Sequence, residues 1–284
     1  MKILISGHTG QVARELQPAL REHELISLGR QAFDLARPDS LRATILRERP
    51  DLLINAAAHT AVDQAEQEQA LAFAINAQAP GAMAATCAEL GIALIHYSTD
   101  YVFDGSQSTP YSESDTPNPL NVYGASKLAG ERAIAASGCD HLILRTSWVY
   151  SRHGRNFLLT MQRLLQEREQ LKVVADQIGA PTWAGSIATA TAALVTAWQR
   201  GNRHWGTYHL TNCGETSWFG FAQAIGERLR AAGKPCAELL PIPTHDYPTP
   251  ARRPLNSRLD GSKLERDWNV RLPDWQTALD ACLG

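Results

Sequence analysis

The sequence predicts an α/β protein with an open, doubly wound parallel sheet and a smaller α/β lobe formed by the C-terminal part of the chain. Over residues 1–150, short apolar runs alternate with stretches of helical periodicity, which is the pattern of strands joined by crossover helices. A glycine turn lies directly between the first apolar run and the first helix. After residue 150 the strict alternation weakens, and we therefore expect a second lobe there.

Composition narrows the class of protein. The 284 residues carry a formal net charge of -2, and 20% of them are charged, so the chain lacks a basic tract for nucleic acid. Its five cysteines are odd in number and widely spaced, which is typical of reduced thiols rather than of a disulfide framework. No signal-peptide core follows Met1, and no apolar run reaches the roughly 20 residues of a membrane span. We expect a cytoplasmic protein with no nucleic-acid or membrane partner.

The first predicted strand, residues 3–5, leads into a turn in which Gly7, Gly10 and Ala13 have the spacing G-x-x-G-x-x-A. In a dinucleotide-binding fingerprint the first glycine permits a tight turn, the second lets the backbone approach a pyrophosphate, and a small third residue allows close helix packing. The N-terminus of the following helix offers free N–H groups to phosphates. Such turns also occur in folds that bind no nucleotide, and the motif alone leaves both interpretations open.

The second predicted strand, residues 24–28, is followed by Arg30. An acidic residue at this place would bind the ribose hydroxyls of NAD, whereas an arginine suits the 2′-phosphate of NADP. Arg30 therefore favours NADPH, with NADH still possible and an ordinary exposed arginine as the alternative. Asp34 and Leu35 follow closely enough to approach the adenosine end of a cofactor.

Two further strands are predicted at residues 51–55 and 92–97, separated by a mostly helical stretch over 63–90. Small residues, 56–58, leave the first of them and would let a cofactor lie against the backbone. The second delivers the hydroxyls of Ser98 and Thr99 to the carboxyl edge of the sheet.

Tyr123 and Lys127 follow this strand and lie four residues apart on a predicted helix that extends to about residue 136. Residues at this spacing share one face of a helix, so an ammonium group near the phenol would lower its pKa from the usual value of about 10. The alternative is a core tyrosine beside a surface lysine. The order of glycine turn, strand-end hydroxyl and Tyr–Lys helix favours an active site.

Other chemistries lack their motifs. The nine histidines show no zinc-binding spacing. No Gly-x-Ser-x-Gly elbow of an α/β-hydrolase and no phosphate loop of a nucleoside triphosphatase is present.

The C-terminal half is predicted to divide between two units. We assign residues 1–150, together with about 184–212, to a Rossmann-type dinucleotide-binding domain, because a fifth strand at 141–145, a helix at 184–199 and a strand at 206–210 extend the alternating pattern. We assign about 151–183 and 213–284 to a substrate-binding lobe. Its tail reads as more loop than core, and three arginines at positions 252, 253 and 258 could clamp a diphosphate or form a solvated basic loop.

Several motifs together resemble the extended short-chain dehydrogenase/reductase family, and the similarity covers nearly the whole chain. They are residues 7–12 (Gly-x-x-Gly-Gln-Val), 55–63 (Asn-Ala-Ala-Ala-His-Thr-Ala-Val-Asp), 96–103 (His-Tyr-Ser-Thr-Asp-Tyr-Val-Phe), 119–124 (Pro-Leu-Asn-Val-Tyr-Gly), 145–150 (Arg-Thr-Ser-Trp-Val-Tyr), 177–182 (Gln-x-Gly-Ala-Pro-Thr) and 253–259 (Arg-Pro-x-Asn-Ser-Arg-Leu). The resemblance implies that a nicotinamide hydride reduces the C4 ketone of a dTDP-linked 4-dehydro-6-deoxy sugar.

The resemblance also implies roles for individual residues. Tyr123 would donate the proton, Lys127 would hold the nicotinamide ribose and lower the tyrosine pKa, and Thr99 would bind the reacting oxygen. The implied cofactor-binding residues are Gly7, Gly10, Gln11, Val12, Arg30, Asp34, Leu35, Ala58, His59, Thr60 and Tyr97, together with Tyr123 and Lys127. The implied substrate-binding residues are Thr99, Asp100, Trp148, Arg253 and Asn256.

Two positions separate the chain from relatives of this family. Dehydratases carry Thr-Asp-Glu, with a second acid that helps to eliminate water, but here Tyr101 follows Asp100, which favours plain reduction. Some relatives bind Mg²⁺ through glutamates at a dimer interface. Glu15 matches one of these, but residues 183–186 contain no glutamate, so we expect no metal and either a monomer or a different homodimer. The alternatives are a non-catalytic NADP-binding regulatory subunit and another reductase or epimerase of nucleotide sugars.

Overall fold

The fold is that of a computed structural model in which all residues, 1–284, are described. The strands are β1 (Lys2–Ser6), β2 (Glu24–Leu28), β3 (Leu52–Asn55), β4 (Ala93–Thr99), β5 (His141–Thr146), β6 (Val149–Tyr150), β7 (Gln170–Val174), β8 (Ile178–Gly179), β9 (Thr182–Trp183), β10 (Gly206–His209), β11 (Thr216–Ser217), β12 (Glu238–Ile242) and β13 (Asn256–Ser257).

The α-helices are α1 (Gln11–Ala19), α2 (Leu41–Glu48), α3 (Val62–Ala65), α4 (Gln69–Phe73), α5 (Ala79–Leu90), α6 (Val122–Ala136), α7 (Phe157–Glu167), α8 (Ala184–Gln199), α9 (Trp218–Ala231), α10 (Ser262–Trp268) and α11 (Trp275–Leu283). A π-helical turn, Ala74–Gln78, joins α4 to α5.

Six parallel strands form the central sheet in the order β10-β5-β4-β3-β1-β2. The predicted doubly wound sheet is confirmed. The chain passes from β1 to β2 on one side and then returns to β3 on the other side of β1. At such a reversal the loops leave the carboxyl ends of β1 and β3 in opposite directions, and the crevice between them is where this architecture binds ligands.

Helices cover both faces of the sheet because its strands are apolar on both faces. Along β1, Ile3 and Ile5 pack in the cluster that includes residues of α1 and α8. Leu4, between them, points the other way and packs with residues of α2, α5 and α6. This alternation follows from the two-residue period of a strand. Each fully buried aliphatic side chain contributes about 1.5–3 kcal/mol, so both layers are firmly attached.

A second core lies under the C-terminal lobe, where α7, α9 and α11 pack around Tyr150, Phe221 and Trp275. Three small sheets complete this part of the chain, one of β7 and β12, one of β8, β11 and β13, and one of β6 and β9. The predicted loop character of the tail is confirmed for its backbone, which over residues 249–261 forms one two-residue strand, but several residues of the tail are buried. Asn256 and Ser257 form β13 and are buried, because β13 pairs with β8 across the lobe.

None of the helices combines the length and the apolar character that a bilayer-spanning helix requires.

Candidate active site

A groove of about 480 Å³ opens at the carboxyl ends of β1, β3 and β4. Its lining residues are Gly7, Thr9, Gly10, Gln11, Val12, Asn55, Ala56, Ala57, Ala58, Thr60, Tyr97, Ser98, Tyr123, Lys127, Thr146, Val149, Gly154 and Arg155. The structure thus brings the glycine turn (residues 7–13), the alanine run (residues 56–58, continued to Thr60) and α6, which carries Tyr123 and Lys127, into one cavity. These segments are far apart in the sequence.

The glycine turn is shaped for close approach by a ligand. Gly7 has φ +81°, and a Cβ there would lie 3.1 Å from the carbonyl oxygen of Ala56, so any larger residue would strain the turn. Gly10 caps α1 without a side-chain hydrogen bond. The free N–H groups of the first turn of α1 therefore remain available for a pyrophosphate, and the turn fits a dinucleotide.

The segment 151–156 contributes Gly154 and Arg155 to the lining of the groove. The Gln11 side-chain oxygen accepts hydrogen bonds from Ser151 Oγ at 3.0 Å and from Asn156 Nδ2 at 2.8 Å. These bonds fix the loop that brings Gly154 and Arg155 to the groove. Sequence reasoning missed both residues, and the only available signal was a glycine with polar neighbours just before a helix.

The predicted adenosine-binding residues lie outside the groove. Arg30 follows β2 as expected, its side chain is 77% exposed, and its Nε lies 3.6 Å from Asp34 Oδ1. Leu35 is buried among core residues. An exposed guanidinium at the end of β2 is accessible to a phosphate, whereas the Leu35 side chain is committed to packing.

The alanine run carries two of the predicted cofactor contacts, Ala58 and Thr60, into the groove. His59 does not line it. The His59 backbone N–H donates to Asn76 Oδ1 at 2.8 Å, and its Nε2 lies 3.4 Å from Glu68 Oε2. Asn76, from the π-helical turn, also donates to Ser126 Oγ at 3.0 Å. His59 therefore anchors this loop to the helical layer beneath α6.

Tyr123 lies in the first turn of α6, which Asn121 caps by accepting a hydrogen bond from the Gly124 N–H at 2.8 Å. Burial raises the pKa of Tyr123 to about 12, and a hydrogen bond with Thr99 opposes this shift. The phenol is therefore protonated at neutral pH and is held beside the hydroxyl that ends β4.

The prediction that Lys127 lowers the pKa of Tyr123 is not what the structure shows. The Lys127 side chain is turned towards β4, where its Nζ donates to the Tyr97 carbonyl at 2.6 Å and lies 3.2 Å from His96 Nε2. The physical reason is burial: Lys127 is 2% exposed and takes the nearest backbone acceptor, while desolvation dominates at the phenol.

Asp100 follows Thr99 and is buried. Its Oδ1 accepts a hydrogen bond from Thr99 Oγ1 at 2.9 Å, and its Oδ2 has no hydrogen-bond partner. Burial raises the pKa of Asp100 to about 6. The ring of Tyr101 packs edge-on against Tyr123, with centroids 5.7 Å apart, so a tyrosine occupies the place where a second acid would stand.

Trp148 is held in an unusual backbone conformation. Its φ is +48°, and its ring stacks on Trp218 with centroids 3.6 Å apart and an interplanar angle of 11°. Trp218 Nε1 donates to Gln177 Oε1 at 3.1 Å. On the other side, a Cβ at Gly179 would come within 2.7 Å of the Trp148 ring. Sequence reasoning identified Trp148 but missed Trp218.

The three arginines of the tail do not converge. Arg252 is exposed, Arg253 forms a two-pronged ion pair with Asp63 at 2.7 and 3.0 Å, and Arg258 contacts Glu215 at 3.1 Å. The Asn256 amide donates to the carbonyls of residues 107 and 109. The predicted diphosphate clamp of all three is therefore not formed, because Arg253 and Arg258 are held by two separate carboxylates and Arg252 is exposed.

No group of three or more histidine, cysteine, aspartate or glutamate side chains is placed to hold a metal ion.

Comparison with known proteins gives consistent matches. Residues 1–284 match the family described as the RmlD substrate binding domain. A dTDP-4-dehydrorhamnose reductase of Burkholderia thailandensis is 48% identical over 292 residues, which cover 100% of this chain and 98% of that protein. The enzyme of the same name from Escherichia coli K12 is 46% identical over 291 residues, covering 100% of this chain and 97% of that protein.

Solved structures agree. The dTDP-4-dehydrorhamnose reductase of Bacillus anthracis in complex with NADP has a TM-score of 0.92 at 34% identity, over 99% of this chain and 98% of that one. A UDP-glucose 4-epimerase of Thermus thermophilus in complex with NAD has a TM-score of 0.80 at 20% identity, over 100% of this chain and 99% of that one, and it shares the fold.

Proposed function

The chain belongs to the family of the RmlD substrate binding domain, with the dTDP-4-dehydrorhamnose reductases, and from this premise we propose that it reduces the C4 ketone of dTDP-4-dehydro-L-rhamnose with NADPH. The product is dTDP-L-rhamnose, and the reaction is the last step of its synthesis for cell-surface polysaccharide. The observation that carries the proposal is a protonated, half-buried tyrosine beside a strand-end hydroxyl, in the lining of a groove that fits a dinucleotide.

NADPH would bind along the groove, with its pyrophosphate at the N-terminus of α1 next to Gly10, Gln11 and Val12. The relative from Bacillus anthracis was solved with NADP, and the exposed Arg30 guanidinium suits a 2′-phosphate. When bound, NADPH supplies the hydride that the ketone accepts. Ala58, Thr60 and Tyr97 would line the remainder of its binding site.

Tyr123 would donate its phenolic proton to the oxygen that becomes an alkoxide as the ketone is reduced. Its high pKa keeps the proton available at neutral pH. Thr99 would hold the same oxygen by a hydrogen bond, which fixes the distance to Tyr123. Lys127 would bind the ribose hydroxyls of the cofactor when NADPH occupies the groove.

Asp100 and Trp148 would hold the sugar, and Arg253 and Asn256 would complete the substrate site from the C-terminal lobe. Because Tyr101 replaces the second acid of a dehydratase, no group is positioned to help remove water. Reduction with consumption of NADPH is therefore favoured over elimination.

We further propose that residues 1–150 and about 184–212 form the cofactor domain and that 151–183 and 213–284 form the sugar-nucleotide lobe. α8 and β10 support this division, since α8 packs in the core with α1 and β10 extends the central sheet. The enzyme would act in the cytoplasm as a monomer or a homodimer without Mg²⁺.

The decisive experiment is a coupled assay in which purified upstream enzymes generate dTDP-4-dehydro-L-rhamnose and NADPH oxidation is followed at saturating cofactor. We expect stoichiometric NADPH consumption and formation of dTDP-L-rhamnose. Binding of NADPH without turnover would instead support a regulatory subunit, and tightly retained NAD with no net consumption would support an epimerase. Either outcome would refute the proposal.

A further inference from the structure

A chain of four buried polar side chains runs under the active site, and the three that lead to Lys127 have no place in the proposed reaction. It starts at Ser6 on β1, continues through Asn55 on β3 and His96 on β4, and ends at Lys127 on α6. Their exposed fractions are 0%, 1%, 1% and 2%. Buried polar groups are costly unless they are hydrogen-bonded, so the protonation of each member has to match that of its neighbours.

The orientation of the Asn55 amide is determined by two donors. Ser6 Oγ donates to Asn55 Oδ1 at 2.6 Å, and the Ala57 N–H donates to the same oxygen at 3.2 Å. The oxygen of the amide therefore faces Ser6, and its Nδ2 faces His96 Nδ1 at 2.9 Å. An amide nitrogen can only donate, so His96 Nδ1 must be the unprotonated, accepting nitrogen.

This fixes the tautomer of His96. Burial, with Lys127 nearby, holds the pKa of His96 well below its usual value, so the ring is neutral and carries its single proton on Nε2. That proton points at Lys127 Nζ, 3.2 Å away. An ammonium group has three donors and no lone pair, whereas a neutral amine can accept this hydrogen bond and still donate to the Tyr97 carbonyl.

No free carboxylate offsets this arrangement. Glu131, one turn along α6, is the acid nearest to Lys127 in sequence, but its two oxygens are bonded to Arg145 and Ser98. Burial lowers the pKa of Lys127 to about 8, and Glu131 raises it only partly back. The other ionisable groups on β4, on the turn 100–102 and on the first turn of α6 are Tyr97, Asp100, Tyr101 and Tyr123, and the charged Asp63 of α3 is paired with Arg253.

We propose that His96 is a positioning residue, which stabilises the neutral amine form of Lys127 while the cofactor groove is empty, and that cofactor binding at alkaline pH charges Lys127 by taking up one proton from solvent. The ribose hydroxyls and the phosphates of the cofactor favour an ammonium group, so Lys127 turns from His96 to the cofactor as it is protonated. The second half of this inference rests on the proposed function, while the first half concerns the cofactor-free enzyme alone.

The cofactor-free enzyme tests the first half. The chain has five lysines, so ¹³C labelling at Cε gives five signals, and the Lys127 signal is the one lost in Lys127→Met. We expect this signal to titrate with a midpoint near pH 8, because the pKa of Lys127 is lowered to about 8. The other four lysine signals serve as internal references. A Lys127 signal that is still that of an ammonium group at about pH 9.5 would overturn the proposal.

Calorimetry of NADPH binding tests the second half. Titrations in buffers of different ionisation enthalpy at about pH 9 should show uptake approaching one proton per site. Binding without proton uptake would overturn this half. If NADPH does not bind at all, the proposed function fails, and the titration of the cofactor-free enzyme still decides the role of His96.

A variant separates positioning from simple structural support. His96→Gln places an amide at the position of Nε2, with an oxygen that can accept from an ammonium group. We expect the Lys127 midpoint to rise by about one pH unit or more and the proton uptake at about pH 9 to fall to about half a proton or less. His141→Gln is the matched control, because the His141 ring contacts the carbonyl of Cys139 and no lysine. An unchanged midpoint in folded His96→Gln would contradict the proposal.

Discussion

Tyr123 and Lys127 lie one helical turn apart. Burial favours the uncharged form of both side chains, the neutral phenol and the neutral amine. For the phenol this means a raised pKa, and for the amine a lowered one. Both shifts follow from the cost of placing a charge in a poorly solvated site. The tyrosine is thereby kept as a proton donor, which is the state that a ketone reduction requires.

Tyr123→Phe tests this donor. The variant removes the proton but keeps the ring that packs against Tyr101, so we expect kcat to fall about 10²–10⁴-fold with the dissociation constant for NADPH nearly unchanged. Tyr111→Phe is the control, since the Tyr111 phenol donates to Asp104 away from the groove. If Tyr123→Phe keeps wild-type kcat, Tyr123 is not the donor.

Asp100 gives a pH dependence of stability with a defined sign. Its folded-state pKa is raised to about 6, so its contribution to stability is complete below about pH 4 and is lost as the pH rises through about 6. Asp100→Asn should therefore raise Tm at pH 7.5, by an amount equivalent to about 3 kcal/mol, because a buried unpaired charge is removed. Thermal denaturation at pH 7.5 and pH 5 measures this. The gain should shrink at pH 5, and an equal gain at both pH values would argue against a charged Asp100.

At the scale of elements, α6 owes its position to two glycines. A Cβ at Gly124 would overlap the carbonyl oxygen of Tyr101, and one at Gly130 would overlap that of Asn76 in the π-helical turn. The helix therefore packs directly against the backbone of both segments, which brings Tyr123 to Thr99. Helix propensity alone would favour alanine at both positions.

Gly130→Ala separates these two effects. Propensity predicts a gain of about 1 kcal/mol, but overpacking against Asn76 should outweigh it and lower the free energy of unfolding by about 1–3 kcal/mol. Urea denaturation gives the value. Ala135→Gly, at an exposed position of α6, calibrates propensity in the same helix. A stabilised Gly130→Ala enzyme would show that the backbone contact is not tight.

The stack of Trp148 on Trp218 is the second element that shapes the site, since Trp218 supports a tryptophan with positive φ. Trp218→Leu should raise KM for the sugar nucleotide roughly 2–10-fold, as expected for the loss of one aromatic pair, with little effect on NADPH affinity. Steady-state kinetics with each substrate varied distinguishes the two. Trp205→Leu is the control, because Trp205 packs on Trp198 and Trp268. Equal effects on both substrates would point to general destabilisation.

At the scale of the whole molecule, the ion pair of Asp63 and Arg253 connects the two predicted units across 190 positions of the chain. Asp63 Oδ1 also accepts a hydrogen bond from the Ala251 backbone N–H at 3.1 Å. Arg253 lowers the pKa of Asp63, so this stabilisation is present at neutral pH and is lost as the pH falls below the usual range of a carboxyl group.

A double-mutant cycle of Asp63→Asn and Arg253→Gln should give a coupling energy of about 0.5–1 kcal/mol at neutral pH, since both side chains are partly exposed. Equilibrium unfolding at pH 7 and pH 3 measures it, and the coupling should disappear at pH 3. The exposed pair of Arg42 and Glu89 is the control within a single unit. Coupling that persists at pH 3 would contradict an electrostatic origin.

Much of the fold could be predicted from the sequence because local periodicity records which residues become buried. The apolar runs at β1, β3, β4 and β5 and the glycine turn predicted the sheet, and family motifs placed Thr99, Tyr123 and Lys127 together. The predictions failed where a side chain had several polar partners within reach. Nothing near Arg253 in the sequence indicates that Asp63 will hold it.

The sequence by itself predicted the doubly wound parallel sheet, the glycine turn and Tyr123 as the candidate proton donor, since these follow from patterns within a few residues or from motifs in chain order. The tertiary structure decided which contacts the charged groups make. Lys127 meets His96 from 31 positions away, Gln11 meets Ser151 from 140, and Arg253 meets Asp63 from 190. Such pairs depend on how the layers pack, because a buried polar atom bonds to the partner that packing brings nearest.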